Sequence, residues 1–138
     1  MAAAGSGMAP LKACIESGLF SCASSGTTTL YYGEWTEDDL CFTDLHDNWR
    51  NYMGITVVPV LSRTPDTRGY IQEVLQQDGL ATRTTDIDNN NNDNNNDNAM
   101  AIPTTWAILC GMDDMVESCT KVLTSAGMDD QRILLNLS

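Results

Sequence analysis

The chain has 138 residues, of which 42% are hydrophobic, so it is long enough for one domain with a buried core. Its net charge of −12 argues against binding to nucleic acid or anionic lipid, and it has no apolar run of roughly 18 residues that would insert into a membrane. Five cysteines without a C-x-x-C pair and a single histidine argue against a metal site, and predict a soluble protein with free thiols in a reducing compartment.

Strand-like and helix-like segments alternate along the whole chain. After the stub "MAAA" at residues 1–4, a glycine-rich turn leads into the first helical pattern. The second helical pattern is predicted to begin at Thr36 as its N-cap and to hold His46 on an exposed acidic face. The last three strand-like runs are almost continuously apolar, which is typical of strands covered on both faces. The predicted helices are 9–20, 36–49, 69–79 and 113–127, and the strands after the stub are 27–33, 54–62, 105–111 and 132–137.

This alternation predicts a single α/β domain over residues 1–138. We expect an open, doubly wound parallel sheet of five strands in the order 3-2-1-4-5, with helices on both faces and a truncated first strand. Residues 84–100 interrupt the pattern with a run of asparagine and aspartate that cannot repay the entropy of ordering. We expect a disordered surface insertion there, since the spacing does not match a calcium-binding loop.

Chemically distinctive residues follow four of the predicted strands. In an open α/β sheet the carboxyl ends of the strands form one edge, and ligands bind beyond that edge. The residues at this edge are therefore candidates for a single binding site. They are Gly5-Ser6-Gly7 after the stub, Gly33-Glu34 after the second strand, Ser62-Arg63 after the third and Cys110-Gly111 after the fourth.

The glycine-rich turn and the cysteine each leave two interpretations open. Residues 5–10 read G-x-G-x-x-P, which is either a phosphate-binding loop opening a helix or a plain turn. Cys110 ends an apolar strand and has no basic neighbour in sequence that would lower its pKa. From the residues alone we favour a packed thiol over a nucleophile.

The choice of nucleotide is also open from the residues alone. A hydroxyl beside a guanidinium, as in Ser62-Arg63, suits a phosphate monoester such as the 2′-phosphate of NADP, although it also describes an ordinary surface arginine. Glu34 points the other way, because an acid after the second strand often binds the free 2′-hydroxyl of NAD.

Four segments in order resemble the pyridine-nucleotide-binding C-terminal half of the ferredoxin–NADP reductase superfamily, and most of all its plant and algal members. They are "GSGMAPLKACIESG", "LYYGEW", "VVPVLSR…RGYIQEVL" and "AILCGMDDMVESCTKVLTSAGMDDQRILLNL". The flavin domain that precedes this half in the family has no counterpart here, nor have its R-x-Y-[ST] motif and terminal aromatic residue. The resemblance therefore implies that FAD is held only through a missing or partner domain.

The resemblance implies roles for residues at the nicotinamide end of a dinucleotide. The family's G-[ST]-G-x-A-P loop, which wraps the pyrophosphate and nicotinamide end, is matched by Gly5, Ser6, Gly7, Ala9 and Pro10. The family's C-G-x-x-x-M segment is matched by Cys110, Gly111 and Met115. In that segment the cysteine lies beside the nicotinamide C4 and helps to set the geometry of hydride transfer. We take Cys110 as the catalytic candidate, and Gly33 joins the cofactor-binding set by its place at the same edge.

At the adenine end, the resemblance favours NADP(H), with NAD(H) as the alternative because of Glu34. The S-R…Y-x-Q pattern that clasps the 2′-phospho-AMP moiety in NADP-specific members is matched by Ser62, Arg63, Tyr70 and Gln72. In this pattern the tyrosine stacks on the adenine.

Three functional hypotheses follow. The first is the NADP(H)-binding half of a flavin-dependent oxidoreductase, inactive as an isolated chain, whose kinship implies a plastid, with the cytoplasm as the alternative. The second is a non-catalytic nucleotide-binding or structural subunit of a larger assembly. The third is a thiol protein that uses Cys110 or Cys22, which the acidic surroundings oppose.

Overall fold

The computed structural model describes residues 1–18, 20, 28–64, 69–78 and 106–136. Its parallel sheet has the strand order β3-β2-β1-β4-β5, which confirms the predicted order. The strands are β1 (Ala2–Ala4), β2 (Thr28–Glu34), β3 (Ile55–Leu61), β4 (Ala107–Cys110) and β5 (Ile133–Asn136). The helices are α1 (Met8–Glu16), α2 (Thr43–Met53), α3 (Ile71–Gln77) and α4 (Asp113–Ser125). The predicted insertion at 84–100 lies outside the described residues.

The two faces of the sheet bury separate apolar clusters, as the alternation of side chains along a strand requires. On one face, Ala2 and Leu109 pack with residues of α3 and α4. On the other face, Ala3 and Tyr32 pack with residues of α1 and α2. The short β1 lies between β2 and β4, where Ala3 is in register with both Tyr32 and Cys110. Helices therefore cover both faces, as predicted, and the carboxyl ends of β1, β2 and β4 lie side by side.

The prediction that β5 is covered on both faces is wrong. Ile133 is buried, but Leu134 and Leu135 are 50% and 42% exposed. The strand lies at the edge of the sheet, where it pairs with β4 alone among the described strands. An apolar run shows only which residues a strand contains. Whether the strand is central or lies at an edge depends on the strand order of the whole sheet. No helix in the described ranges is both long and apolar enough to cross a bilayer.

The single helix predicted at 36–49 is in fact two elements. Thr36 does cap a helix, but this helix is a short 3₁₀ helix at Glu37–Asp39. The backbone N–H of Thr36 donates to Asp39 Oδ2 at 3.0 Å. The chain then bends through Phe42, which has a left-handed φ of 61°, before α2 begins at Thr43. The bend lets the backbone N–H of Cys41 donate to the Tyr32 hydroxyl at 3.1 Å. This tertiary contact overrides the local helical pattern.

The predicted solvation of His46 is also wrong. The side chain is half-buried, and its ring centre lies 5.6 Å from that of Trp49. Its Nε2 atom is buried and has no hydrogen-bond partner in the part of the chain that the structure describes. Burial lowers the pKa of His46, and Arg50 adds to this, while Asp47 and Asp44 act in the opposite direction.

We expect His46→Gln to reduce the loss of stability between pH 7.5 and 5.5. Because the pKa of His46 is lower in the folded state, the unfolded chain binds its proton first as the pH falls through the ordinary value of about 6.5. Protonation therefore favours unfolding of the wild type, by at most about 1.4 kcal/mol per pH unit for one proton. Urea unfolding at several pH values measures this slope, and equal slopes for the two proteins would contradict the assignment.

Candidate functional site

The glycine-rich turn packs directly on the carboxyl end of β4. Residues Gly5–Gly7 form a 3₁₀ turn that leads into α1. Gly7 is buried, and a Cβ atom there would overlap the carbonyl of Cys110 and lie 2.7 Å from the backbone nitrogen of Gly111. Gly5 has a φ of 54° and faces open space. The structure thus brings two of the predicted loops into backbone contact, with Gly7 making the contact and Gly5 facing outward.

Gly111 packs closely on Met115 and on the end of β1. It has a φ of 156°, and a Cβ atom there would lie 2.6 Å from Met115 Cε and 3.3 Å from the backbone nitrogen and oxygen of Ala4. Met115 is buried, and its Sδ accepts a hydrogen bond from Cys119 Sγ at 3.6 Å. The C-G-x-x-x-M segment therefore folds onto the end of β1, with glycine at its outer surface.

Cys110 is a buried thiol on the face of the sheet that α1 covers. Burial raises its pKa, and Cys14 adds to the rise, while the backbone N–H of Asn136 acts in the opposite direction. A nucleophilic thiol requires a lowered pKa. The environment of Cys110 agrees with a packed thiol and opposes the thiol-protein hypothesis for this residue; Cys22 lies outside the described residues.

The start of α1 is the best anion site among the described helix starts at this edge, because α2, α3 and α4 each carry an acidic residue in the first turn. The positive end of α1 has no acidic residue in its first turn and no side-chain cap. In contrast, α4 begins with Asp113 and Asp114, which already compensate its dipole. Ser6 and Ala9 are exposed at the start of α1, and Pro10 is half-buried. A phosphate is therefore favoured at the start of α1.

Gly33 allows α3 to reach the site. It is in register with Ala4 in β1, and a Cβ atom there would lie 2.8 Å from Ile71 Cδ1, at the start of α3. Tyr70 immediately precedes this helix with an exposed side chain, and its backbone N–H donates to Glu73 Oε2 at 3.0 Å. Gln72 is half-buried in the first turn. The missing side chain of Gly33 is what brings the Tyr70 end of α3 over the carboxyl end of β2.

Ser62 and Arg63 extend the pairing of β3 with β2. The backbone N–H of Ser62 donates to the Glu34 carbonyl at 3.0 Å, and that of Arg63 donates to the Trp35 carbonyl at 2.9 Å. The Arg63 guanidinium stacks on the Trp35 ring, with Cζ 4.0 Å from the ring centre. Trp35 is absent from the residues proposed from sequence. The register of Glu34 with Leu61 places Trp35 beside Ser62, one residue before Arg63, and the sequence pattern does not determine this register.

Glu34, the acid that suggested NAD, interacts with Tyr32. The two residues are two positions apart in β2, so their side chains face the same side of the sheet. Burial raises the pKa of Tyr32, and the adjacent Glu34 carboxyl adds to the rise. The Glu34 carboxyl therefore lies beside a tyrosine hydroxyl near α2. No group of three or more potential metal ligands occurs among the described residues.

The chain is similar to known proteins in sequence and in fold. The family model described as "Oxidoreductase NAD-binding domain" matches residues 1–121. The fruit protein pKIWI502 of Actinidia deliciosa is 29% identical over 136 residues, which cover 95% of this chain and 36% of that protein. The cytochrome P450 reductase GcoB of Amycolatopsis has a similar fold, with a TM-score of 0.71 and 24% identity over 97% of this chain and 35% of that one.

A ferredoxin NADP⁺ reductase from Neisseria gonorrhoeae, solved with bound FAD and NADP, also shares the fold, with a TM-score of 0.64. It is 19% identical, and the match covers 99% of this chain and 54% of that one. The chain thus spans about a third of the kiwifruit relative and of the Amycolatopsis reductase. Because the family model matches most of its length, the chain belongs to the oxidoreductase NAD-binding domain family.

Proposed function

We propose that this domain binds NADP(H) and positions the nicotinamide for hydride transfer with FAD, which is held by another domain or subunit. The observation that carries the proposal is the backbone contact between Gly7 and the Cys110–Gly111 corner. The contact requires glycine at position 7, because a Cβ atom there would overlap the end of β4. It joins the turn after β1 to the end of β4, so that the loops after these two strands form one continuous edge across which a dinucleotide would lie.

The pyrophosphate belongs at the start of α1 in this proposal. Gly5 faces open space, Ser6 is exposed, and the first turn of α1 carries no acid that would repel an anion. The positive end of the helix dipole then stabilises the charge of the phosphates.

NADP(H) is favoured over NAD(H) by the surroundings of Arg63 and Glu34. Arg63 is exposed, and its guanidinium suits a phosphate monoester. The hydroxyl of the preceding Ser62 donates to the Glu34 carbonyl at 3.4 Å. The Glu34 carboxyl, which would bind the free 2′-hydroxyl of NAD(H), already interacts with the Tyr32 hydroxyl. Tyr70, exposed at the start of α3, is the proposed stacking partner of the adenine, and Gln72 follows it in the first turn.

At the other end of the site, Cys110, Gly111 and Met115 shape the surface that receives the nicotinamide. Nicotinamide supplies or accepts a hydride and the flavin is its redox partner. Cys110 stays protonated because burial raises its pKa, so its proposed part is to hold the ring in position. A Cβ atom on Gly111 would collide with Met115, so glycine is needed for the Cys110–Gly111 corner to pack this closely on Met115 and the end of β1.

A flavin assay on protein from the native source tests this proposal. We expect the purified protein to carry flavin, in the same polypeptide or in a tightly bound subunit, and NADPH to bleach its visible absorbance without oxygen. The same concentration of NADH should bleach it more slowly. A mass of 15.1 kDa without flavin would contradict the proposal and favour the non-catalytic subunit. The plastid is the proposed compartment, as the resemblance of the sequence motifs to plant and algal reductases implies.

A further inference from the structure

We infer that Trp35 positions the Arg63 guanidinium for the 2′-phosphate, and so contributes to the preference for NADP(H). This inference rests on the proposed function and adds a residue that the sequence motifs do not include. The Arg63 Cζ atom lies 4.0 Å from the centre of the Trp35 ring, well within the range of a cation–π contact.

The pair is held together by the sheet and not by the apolar core. The backbone N–H of Arg63 donates to the Trp35 carbonyl at 2.9 Å, so the two residues continue the ladder between β2 and β3. The Trp35 side chain is nevertheless 57% exposed and belongs to neither buried cluster. A large exposed aromatic side chain that contacts a cation at a ligand-binding edge is better explained by that contact than by stability.

Stacking leaves the binding groups of the guanidinium available. A guanidinium that lies over a ring keeps its N–H groups in its own plane, where they form the fork that matches two phosphate oxygens. The ring also restricts the rotamers of a flexible side chain, so less entropy is lost when the phosphate binds. The ion pairs between described residues use Lys12, Arg50 and Lys121, and Arg63 takes part in none of them. Its charge is therefore not neutralised by a described carboxylate.

Calorimetric titration of the purified protein with 2′,5′-ADP and with 5′-AMP tests the inference. We expect Trp35→Ala to weaken 2′,5′-ADP binding about two- to fivefold and to leave 5′-AMP binding unchanged. Trp35→Phe should restore most of the affinity because a phenyl ring still stacks on a guanidinium. In an Arg63→Ala background, Trp35→Ala should cause no further loss, since the two residues act as a unit.

Trp106→Ala is the matched control. Trp106 is 58% exposed, nearly the same as Trp35, but it precedes β4 and so lies at the opposite edge of the sheet. We expect its replacement to change neither affinity.

Two results for Trp35→Ala would overturn this inference and leave the proposed function unaffected. One is equal weakening of both ligands, which would mean that the indole contacts the adenine or supports the fold. The other is no effect on 2′,5′-ADP while Arg63→Ala causes a selective loss. If Arg63→Ala itself causes no selective loss, the proposed 2′-phosphate site fails and the role of Trp35 fails with it.

Discussion

Replacing Gly7 by alanine is expected to lower the free energy of unfolding by about 2–3 kcal/mol and to weaken NADP⁺ binding. The backbone of Gly7 has an ordinary φ of −62°, so alanine is not excluded by conformation. The difficulty is packing, because the new Cβ would overlap the Cys110 carbonyl and lie 2.7 Å from Gly111 N. The turn must then move away from β4, and the two halves of the nicotinamide site separate. Urea unfolding and an NADP⁺ titration measure the two effects.

Gly54→Ala is the control for this prediction. Gly54 has a φ of 67° and open space around its Cα atom, so alanine there is strained but meets no neighbour. It ends α2 just before β3, at the edge of the sheet opposite the site. We expect a loss of about 1 kcal/mol in stability and no change in NADP⁺ affinity. If Gly7→Ala behaves in the same way as Gly54→Ala, the contact between the turn and β4 does not form the site.

The architecture could be predicted from sequence because local patterns and topology agree. Apolar strand-like runs alternate with amphipathic segments, and right-handed crossovers then leave few possible strand orders. Once the order is known, the residues that follow β1, β2, β3 and β4 must lie at one edge, whatever their distance along the chain. The proximity of Gly7 to Gly111, more than 100 residues apart in sequence, follows from this reasoning alone.

The details that were missed depend on contacts between elements. The bend at Phe42 forms because the chain meets the Tyr32 hydroxyl, which no pattern within 36–49 reveals. His46 is half-buried beside Trp49 of the same helix, and Trp49 packs with the sheet in the cluster that contains Tyr32. The contact between Arg63 and Trp35 depends on the exact register of β2 against β3, in which Glu34 pairs with Leu61. The alternation of side chains along a strand does not determine that register.

Replacing Arg63 by alanine is expected to weaken NADP⁺ binding about ten- to hundredfold and to change NAD⁺ binding by no more than about twofold. A charge-assisted pair of hydrogen bonds to the 2′-phosphate is lost, and NAD⁺ has no group at that position. The Arg63 side chain is exposed, so stability should change by less than about 0.5 kcal/mol. Parallel titrations with NADP⁺ and NAD⁺ measure the selectivity directly.

Two further measurements separate the guanidinium from a general effect of charge. Arg63→Lys keeps the charge but loses the fork and the contact of the guanidinium with the Trp35 ring, so its NADP⁺ affinity should lie between those of the wild type and Arg63→Ala. Added salt should reduce the preference of the wild type for NADP⁺ and have little effect on the alanine variant, because salt screens an exposed charge. Equal losses for NADP⁺ and NAD⁺ in Arg63→Ala would show that Arg63 contacts a part common to both nucleotides. The site would then have no 2′-phosphate subsite, and Glu34 would return as the residue that binds the ribose of NAD(H).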